Sequence, residues 1–327
     1  MSDFDKTVII NFDSVNAAAK CPVCNISLEP DENQSGMLRC PVCRFAKIQK
    51  VEIAPGQIIG NKYRILSLLG GGGYGDVFIC HPLTDPTQRY VLKILKTCNT
   101  SSQKRFRREA AILAEISDND RIAKILDFWE SGADTFIVME YIRGHNLTQI
   151  AVEYQMDEHA ILQIAKEAVH ALQDIWERCN IIHRDIKPEN IMLDQNFHLK
   201  LLDFGLSKQC NDHDGTNITL ESSSLGTPGY MSPEQFTNFK YVDFRSDIFS
   251  LGATLFFLLT GRVPFGGATL MDIYEDTKQN APPPIESFRE KCSPGCIKLI
   301  RKMMEFSPEK RHSSYTELLQ EIRELLK

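Results

Sequence analysis

The stretch that decides the fold is His183-Arg184-Asp185-Ile186-Lys187-Pro188-Glu189-Asn190, followed in the chain by Asp203-Phe204-Gly205. The octapeptide contains a candidate catalytic base in Asp185, a cation for a transferring phosphate in Lys187 and a metal-binding amide in Asn190. A second carboxylate, that of Asp203, could hold a bridging magnesium ion. These residue types at this spacing predict a site for phosphoryl transfer, a reaction that depends on positioning and on charge stabilisation.

A glycine-rich segment lies upstream, at Leu69-Gly70-Gly71-Gly72-Gly73-Tyr74-Gly75-Asp76-Val77. It has the pattern G-x-G-x-x-G-x-V, with Gly70, Gly72 and Gly75 at the glycine positions. Glycines let backbone N–H groups approach phosphate oxygens without a side chain in between. Alone the pattern is weak, because glycine-rich turns also fit dinucleotides or simple hairpins.

The apolar segment that follows strengthens the phosphate interpretation. Residues 90–95 predict a strand in which one lysine, Lys93, is embedded. A lysine in a buried strand is costly unless it meets an anion. The phosphates of ATP would supply one, and so would Glu109 in the predicted helix 103–113.

Together these motifs resemble those of eukaryotic-type (Hanks-type) serine/threonine protein kinases, in a bacterial-like style, from about Tyr63 to the C-terminus. The likeness extends to three further elements at the spacing of that family: Gly226-Thr227-Pro228-Gly229-Tyr230-Met231-Ser232-Pro233-Glu234, Asp247-Ile248-Phe249-Ser250-Leu251-Gly252, and Arg311. The resemblance implies an α+β, bilobal protein kinase fold with a small β-rich lobe and a large helical lobe. It also implies a buried ion pair between Glu234 and Arg311.

The resemblance implies a role for each catalytic residue. Asp185 would accept or orient the proton of the attacking hydroxyl, and Lys187 would lie beside the γ-phosphate. Lys93 would contact ATP phosphates and pair with Glu109, which fits the family spacing better than its neighbour Glu115. Asn190 and Asp203 would hold Mg²⁺ ions.

The resemblance also implies an adenine pocket behind the glycine-rich loop. In one respect the chain departs from the family, which usually has alanine two residues before the strand lysine, where this chain has the larger Val91. That side chain should narrow the roof of the pocket without preventing ATP binding. The residues that would line the pocket and its hinge are Leu69, Val77, Val91, Met139, Glu140, Ile142 and Met192.

Kinases with an arginine before the catalytic aspartate, here Arg184, are commonly regulated through the activation segment. A phosphorylated residue in that segment supplies an anion for the arginine. We predict autophosphorylation within residues 216–224 that raises activity; the best-placed hydroxyls are Thr219, Ser222, Ser223 and Ser224. The alternative is a segment ordered without phosphate, by Glu221.

Four of the ten cysteines form a second motif, Cys21, Cys24, Cys40 and Cys43, with the spacing C-x2-C-x15-C-x2-C. Two such knuckles can close a tetrahedron of thiolates, which predicts a structural Zn²⁺ site in a zinc ribbon. Four unrelated buried thiols or two redox pairs are the alternatives. The other six cysteines, at positions 80, 98, 179, 210, 292 and 296, show no second group of four. Cys292 and Cys296 could pair, but they are predicted to be small buried hydrophobes.

Composition agrees with a folded, cytoplasmic protein. The chain has 327 residues, 43% of them hydrophobic and 24% charged, and a net charge of −6, which disfavours nucleic acid as a partner. The longest uncharged apolar run, 248–261, is too short for a membrane span, and the resemblance makes it the buried central helix of the large lobe. The expected partners are protein substrates and a possible protein partner of the zinc ribbon; the oligomeric state is left open.

The expected organisation is a tail (1–15), the zinc ribbon (16–50), a linker (51–60) and the kinase domain (61–327). Within the domain the small lobe covers 61–141 and the large lobe 145–327. The leading hypothesis is an ATP-dependent serine/threonine protein kinase. A pseudokinase scaffold is the first alternative, disfavoured because Lys93, Glu109, Asp185, Asn190 and Asp203 are all present. A binding module directed by the ribbon is the second.

Overall fold

The computed structural model describes residues 29–30, 37–39, 46–48, 53–72, 75–96, 118–131, 134–203, 228–237, 242–279, 282, 284–285 and 292–327. Glu109, the four zinc-motif cysteines and the residues 216–224 lie outside the described residues, so what the sequence predicts for them stays a prediction. The chain divides into two compact units, one of residues 1–100 with 125–141 and one of 101–124 with 142–327.

The first unit contains a six-stranded antiparallel sheet in the order β4-β5-β6-β7-β9-β8. Its strands are β4 (Ile58–Ile59), β5 (Tyr63–Gly72), β6 (Gly75–Pro82), β7 (Tyr90–Lys96), β8 (Ile125–Ser131) and β9 (Asp134–Glu140). The strand β4 lies within the predicted linker 51–60 and pairs with β5. A separate three-stranded sheet comprises β1 (Glu29–Pro30), β2 (Met37–Arg39) and β3 (Ala46–Ile48).

One face of the six-stranded sheet forms the core of this unit. Phe78, Leu92 and Val138 are buried and are cross-strand neighbours on β6, β7 and β9. Each such side chain contributes about 1.5 to 3 kcal/mol on burial. Cys80 joins the same core, and burial raises the pKa of its thiol to about 12, so this cysteine acts as a small buried hydrophobe.

The second unit is mostly helical. Its helices are α1 (Leu147–Glu153), α2 (Glu158–Cys179), α3 (Pro233–Thr237), α4 (Arg245–Thr260), α5 (Leu270–Gln279), α6 (Pro294–Met303) and α7 (Tyr315–Leu325). A small antiparallel sheet of β10 (Gly144–Asn146), β11 (Ile191–Asp194) and β12 (Leu199–Leu201) accompanies them.

The helix α4 is the buried centre of the second unit, as the resemblance implies. All but three of its residues are buried, and the helix ends at Gly261, whose φ of 71° is in the left-handed region that glycine adopts without strain. Within it, a Cβ added at Gly252 would lie 2.8 Å from Cβ of Met303 on α6. This glycine therefore permits close packing of two helices.

The predicted ion pair between Glu234 and Arg311 is confirmed. Nη1 and Nη2 of Arg311 donate to the two carboxylate oxygens of Glu234 at 2.7 and 2.9 Å. The arginine side chain is fully buried and also donates to the backbone oxygens of Arg245, Glu305 and Phe306. The pair thus joins α3 to the segment that precedes α7.

Among the described residues, no helix has both the length and the apolar character needed to cross a membrane. The predicted cytoplasmic location stays a prediction.

We expect Glu234→Ala to lower the free energy of unfolding of the second unit by about 3 kcal/mol, because the buried Arg311 charge loses its partner. Urea denaturation followed by circular dichroism measures the change. Glu275→Ala is the matched control, since Glu275 pairs with Lys278 at 4.0 Å on the surface and its loss should cost less than about 1 kcal/mol. Equal losses in the two variants would contradict the prediction.

Candidate active site

The segment between α2 and β11, called the catalytic loop after its predicted role, brings three predicted residues together. Nδ2 of Asn190 donates to the backbone oxygen and to Oδ2 of Asp185, both at 2.8 Å. Nζ of Lys187 lies 3.4 Å from the same Oδ2. The aspartate carboxylate therefore sits between an amide and a cation, with only 15% of its side chain exposed.

A buried carboxylate on α4 holds the backbone of this loop. Asp247 is 1% exposed, and its two oxygens accept hydrogen bonds from the backbone N–H groups of His183 and Arg184, each at 2.8 Å. On the other side, Nε2 of Gln235 donates to the backbone oxygen of Arg184 at 2.9 Å. These contacts keep Arg184 in the left-handed conformation, at a φ of 63°, which costs a non-glycine residue energy.

The imidazole of His183 links the loop to the strand pair that carries Asp203. His183 is fully buried; its Nδ1 accepts from the N–H of Asp185 at 3.3 Å, and its Nε2 lies 2.8 Å from the oxygen of Leu202. With Nδ1 acting as acceptor, the proton resides on Nε2 and is donated to Leu202. The ring therefore connects the backbone of Asp185 to Leu202, the residue before Asp203.

Asn190 and Asp203 flank the hairpin of β11 and β12. The N–H of Leu202 donates to the backbone oxygen of Asn190 at 2.8 Å, and Asp203 follows with a φ of 49°. Since the amide nitrogen of Asn190 binds Asp185, its amide oxygen is the atom that could ligate a cation. That oxygen and the carboxylate of Asp203 are hard ligands, which fit Mg²⁺.

In the first unit, strand register places four predicted ATP contacts on one face. Val77 pairs with Lys93, and Val91 pairs with Met139. Paired residues share a face of the sheet, and successive side chains along a strand point to opposite faces. These four residues therefore lie on the face opposite the core formed by Phe78, Leu92 and Val138. Lys93 and Val91 are half-buried. A face with one lysine among apolar side chains suits a nucleotide, whose phosphates meet the cation and whose base meets the aliphatic groups.

Gly70 and Gly75 of the glycine-rich loop differ in the space that surrounds them. β5 and β6 pair through Gly70 with Val77 and through Gly72 with Gly75. Gly75 has a φ of 145°, and a Cβ there would lie 1.9 Å from the oxygen of Ile94, whereas a Cβ at Gly70 would meet nothing within 4 Å. Close packing on β7 thus demands glycine at position 75, and position 70 has open space.

The other residues predicted to contact ATP lie elsewhere in the two units. Leu69 is 55% exposed at an irregularity of β5, and Glu140 ends β9. Ile142 is buried and Met192 lies on β11, both in the second unit. The roles of these residues stay predictions.

The sequence motifs alone do not reveal the positioning roles of Asp247, Gln235 and His183. For Asp247 a signal exists, because an acid directly beside the longest apolar run must find hydrogen-bond donors. The buried Gln235 follows Glu234 and carries no comparable signal in the sequence.

The described fold and this loop are those of the protein kinase class, and comparison with known proteins gives the same result. The protein kinase domain family matches residues 63–322. The chain belongs to the protein kinase family.

Several bacterial serine/threonine kinases are similar to this chain. Serine/threonine-protein kinase pkn3 of Myxococcus xanthus is 35% identical over 79% of this chain and 49% of its own length. Serine/threonine-protein kinase D of Synechocystis sp. is 31% identical over 81% of this chain and 52% of its own length. The chain therefore spans about half the length of these relatives.

A solved structure shows the same fold. The crystal structure of Rad53 1-466 in complex with AMP-PNP superposes with a TM-score of 0.65 and 24% sequence identity, covering 79% of this chain and 64% of that one.

We expect Asp247→Asn to lower the free energy of unfolding by about 1 to 3 kcal/mol, because an amide has one oxygen acceptor where two buried N–H groups need partners. Hydrogen exchange at His183 and Arg184 should speed up in parallel. Asp272→Asn is the control, since that side chain accepts a single exposed N–H, from Thr269 at 2.9 Å. Unchanged exchange at the two loop amides would contradict the anchoring role.

Proposed function

We propose that this protein is a serine/threonine protein kinase, which transfers the γ-phosphoryl group of ATP to hydroxyl groups of protein substrates. The observation that carries the proposal is the catalytic loop, in which Asn190 and Lys187 both contact Oδ2 of Asp185. The loop lies in a chain that belongs to the protein kinase family.

ATP with Mg²⁺ supplies the phosphoryl group and neutralises its charge. Asn190 and Asp203 would hold the metal ion, and Lys93 and the glycine-rich loop would hold the phosphates. The carboxylate of Asp185 would receive the proton of the substrate hydroxyl. Lys187, beside that carboxylate, adds positive charge where negative charge develops.

A pseudokinase scaffold is not favoured. Such a protein would lack part of the catalytic set, and this chain has Lys93, Glu109, Asp185, Asn190 and Asp203. In addition, the hydrogen bonds between Asn190 and Asp185 are those that a working base needs for its orientation.

We expect Asp185→Asn to reduce phosphoryl transfer about 100-fold or more, the size of a general-base contribution, while ATP binding persists. Lys93→Met should also inactivate the protein, through loss of phosphate positioning. Transfer of radiolabelled phosphate to a generic protein substrate measures activity, and calorimetry measures ATP binding. Lys298→Met, on the exposed side of α6, is the control; full activity in both catalytic variants would refute the assignment.

We also propose that autophosphorylation within residues 216–224 activates the enzyme. Support comes from Arg184, a cation that Asp247 and Gln235 hold next to Asp185, and from the hydroxyls of Thr219, Ser222, Ser223 and Ser224. A phosphate in this segment could pair with the guanidinium and order the segment.

Mass spectrometry of active enzyme should therefore find phosphate within 216–224, and alanine at the modified position should lower the rate. The Asp185→Asn protein, purified in parallel, should lack the modification. An unmodified segment in fully active enzyme, or an alanine variant with an unchanged rate, would contradict this regulation.

The N-terminal motif is proposed to be a zinc ribbon that binds a protein partner or regulates the kinase. Its support is the spacing of Cys21, Cys24, Cys40 and Cys43, together with the short strands β1, β2 and β3 in the same stretch. Two of these strands flank the second knuckle, an order that suits a ribbon.

A further inference from the structure

A second group of potential metal ligands lies where the N-termini of α2 and α6 meet. One carboxylate oxygen of Glu158 and the Sγ atoms of Cys292 and Cys296 all lie within 4.8 Å of one another. None of the three belongs to the catalytic loop or to the N-terminal cysteine motif. The fold brings the glutamate to the cysteines from more than a hundred residues away in the chain.

Ser293, between the two cysteines in sequence, holds the carboxylate in place. Its backbone N–H and its hydroxyl donate to the two oxygens of Glu158, each at 2.6 Å. The same hydroxyl caps α6 by accepting from the N–H of Cys296 at 3.1 Å. Hydrogen bonds of this kind orient metal-binding carboxylates in proteins.

The distances suit a tetrahedral ion. With metal–sulfur bonds of about 2.3 Å and metal–oxygen bonds of about 2.0 Å, the ligand atoms of a zinc site are about 3.5 to 3.8 Å apart. The separations of up to 4.8 Å between these three atoms therefore require a small contraction. Cys296 is buried, whereas Cys292 and Glu158 are half-buried, so an ion could enter from solvent and keep water as a fourth ligand.

The local charges suit this ligand set as well. Glu158 is the first residue of α2, and Cys296 lies in the first turn of α6. A helix N-terminus favours nearby negative charge, which suits thiolate and carboxylate ligands. Two thiolates, one carboxylate and Zn²⁺ have a net charge of −1, which the two helix ends stabilise.

We infer that Glu158, Cys292 and Cys296 bind a zinc ion that links the start of α2 to the start of α6. Thiolate sulfur selects zinc over magnesium or calcium, so this site is chemically distinct from the Mg²⁺ ligands Asn190 and Asp203. It is also independent of the proposed zinc ribbon and of the kinase activity.

The test uses the full chain with Cys21, Cys24, Cys40 and Cys43 all replaced by serine, which removes the N-terminal motif. Purified with zinc in the buffers and then desalted, this protein should carry one zinc per chain by elemental analysis. Adding Cys292→Ser and Cys296→Ser should remove it. Adding Cys179→Ser instead should not, because that half-buried cysteine lies at the opposite end of α2.

Cobalt titration of the same four-serine protein examines the site with its own ligands intact. Thiolate-to-cobalt charge-transfer absorption should appear and saturate at one ion per chain. Glu158→Gln keeps an oxygen acceptor for Ser293 but loses the anionic ligand, and should weaken cobalt binding about tenfold or more.

A four-serine protein that remains free of metal and gives no cobalt absorption would overturn the inference. Zinc content that survives the added Cys292→Ser and Cys296→Ser changes would overturn it too. So would a disulfide between the two thiols, found by mass spectrometry in protein isolated under reducing conditions, because oxidised sulfur cannot ligate.

Discussion

One buried carboxylate, that of Asp247, holds the catalytic loop in the shape on which the candidate site depends. It lies in the first turn of α4, where the helix dipole favours a negative charge. Its two oxygens take up the N–H groups of consecutive loop residues, His183 and Arg184. In a buried setting such charged hydrogen bonds are strong and directional. The buried core of the helical unit thus makes the site rigid.

Further hydrogen bonds connect the loop to neighbouring segments. The Glu234–Arg311 pair fixes α3, and α3 contributes Gln235, which binds the oxygen of Arg184. The imidazole of His183 then connects the loop to Leu202, next to Asp203. These hydrogen bonds form one connected network, and such a network favours a single arrangement of the loop.

Residues close together in sequence account for most of what could be predicted. Asp185, Lys187 and Asn190 lie within one short loop, so their spacing alone indicates their common site. The spacing of apolar residues within 161–175 and 314–326 likewise predicts α2 and α7, whereas α4 was predicted through family resemblance. The two-residue strand β4 was missed, because so short a segment has no periodicity to read.

Contacts between distant segments were harder to predict. Asp247 with His183, and Glu158 with Ser293, join residues far apart in the chain, and the spacing of residues carries no distance information at that range. The Glu234–Arg311 pair was predicted only through family resemblance. The two cysteines near Ser293 could be noticed as a pair, but the carboxylate beside them becomes visible only in the fold.

The contrast between Gly70 and Gly75 bears on how variants of the glycine-rich loop are interpreted. At Gly75 a methyl group would collide with the backbone of β7, so a substitution there disturbs the strand that carries Lys93 as well as the loop. At Gly70 the added atom meets open space. Lost activity at position 75 would therefore reflect damage to both the sheet and the loop, whereas a change at position 70 tests the proposed contribution of the loop to ATP binding.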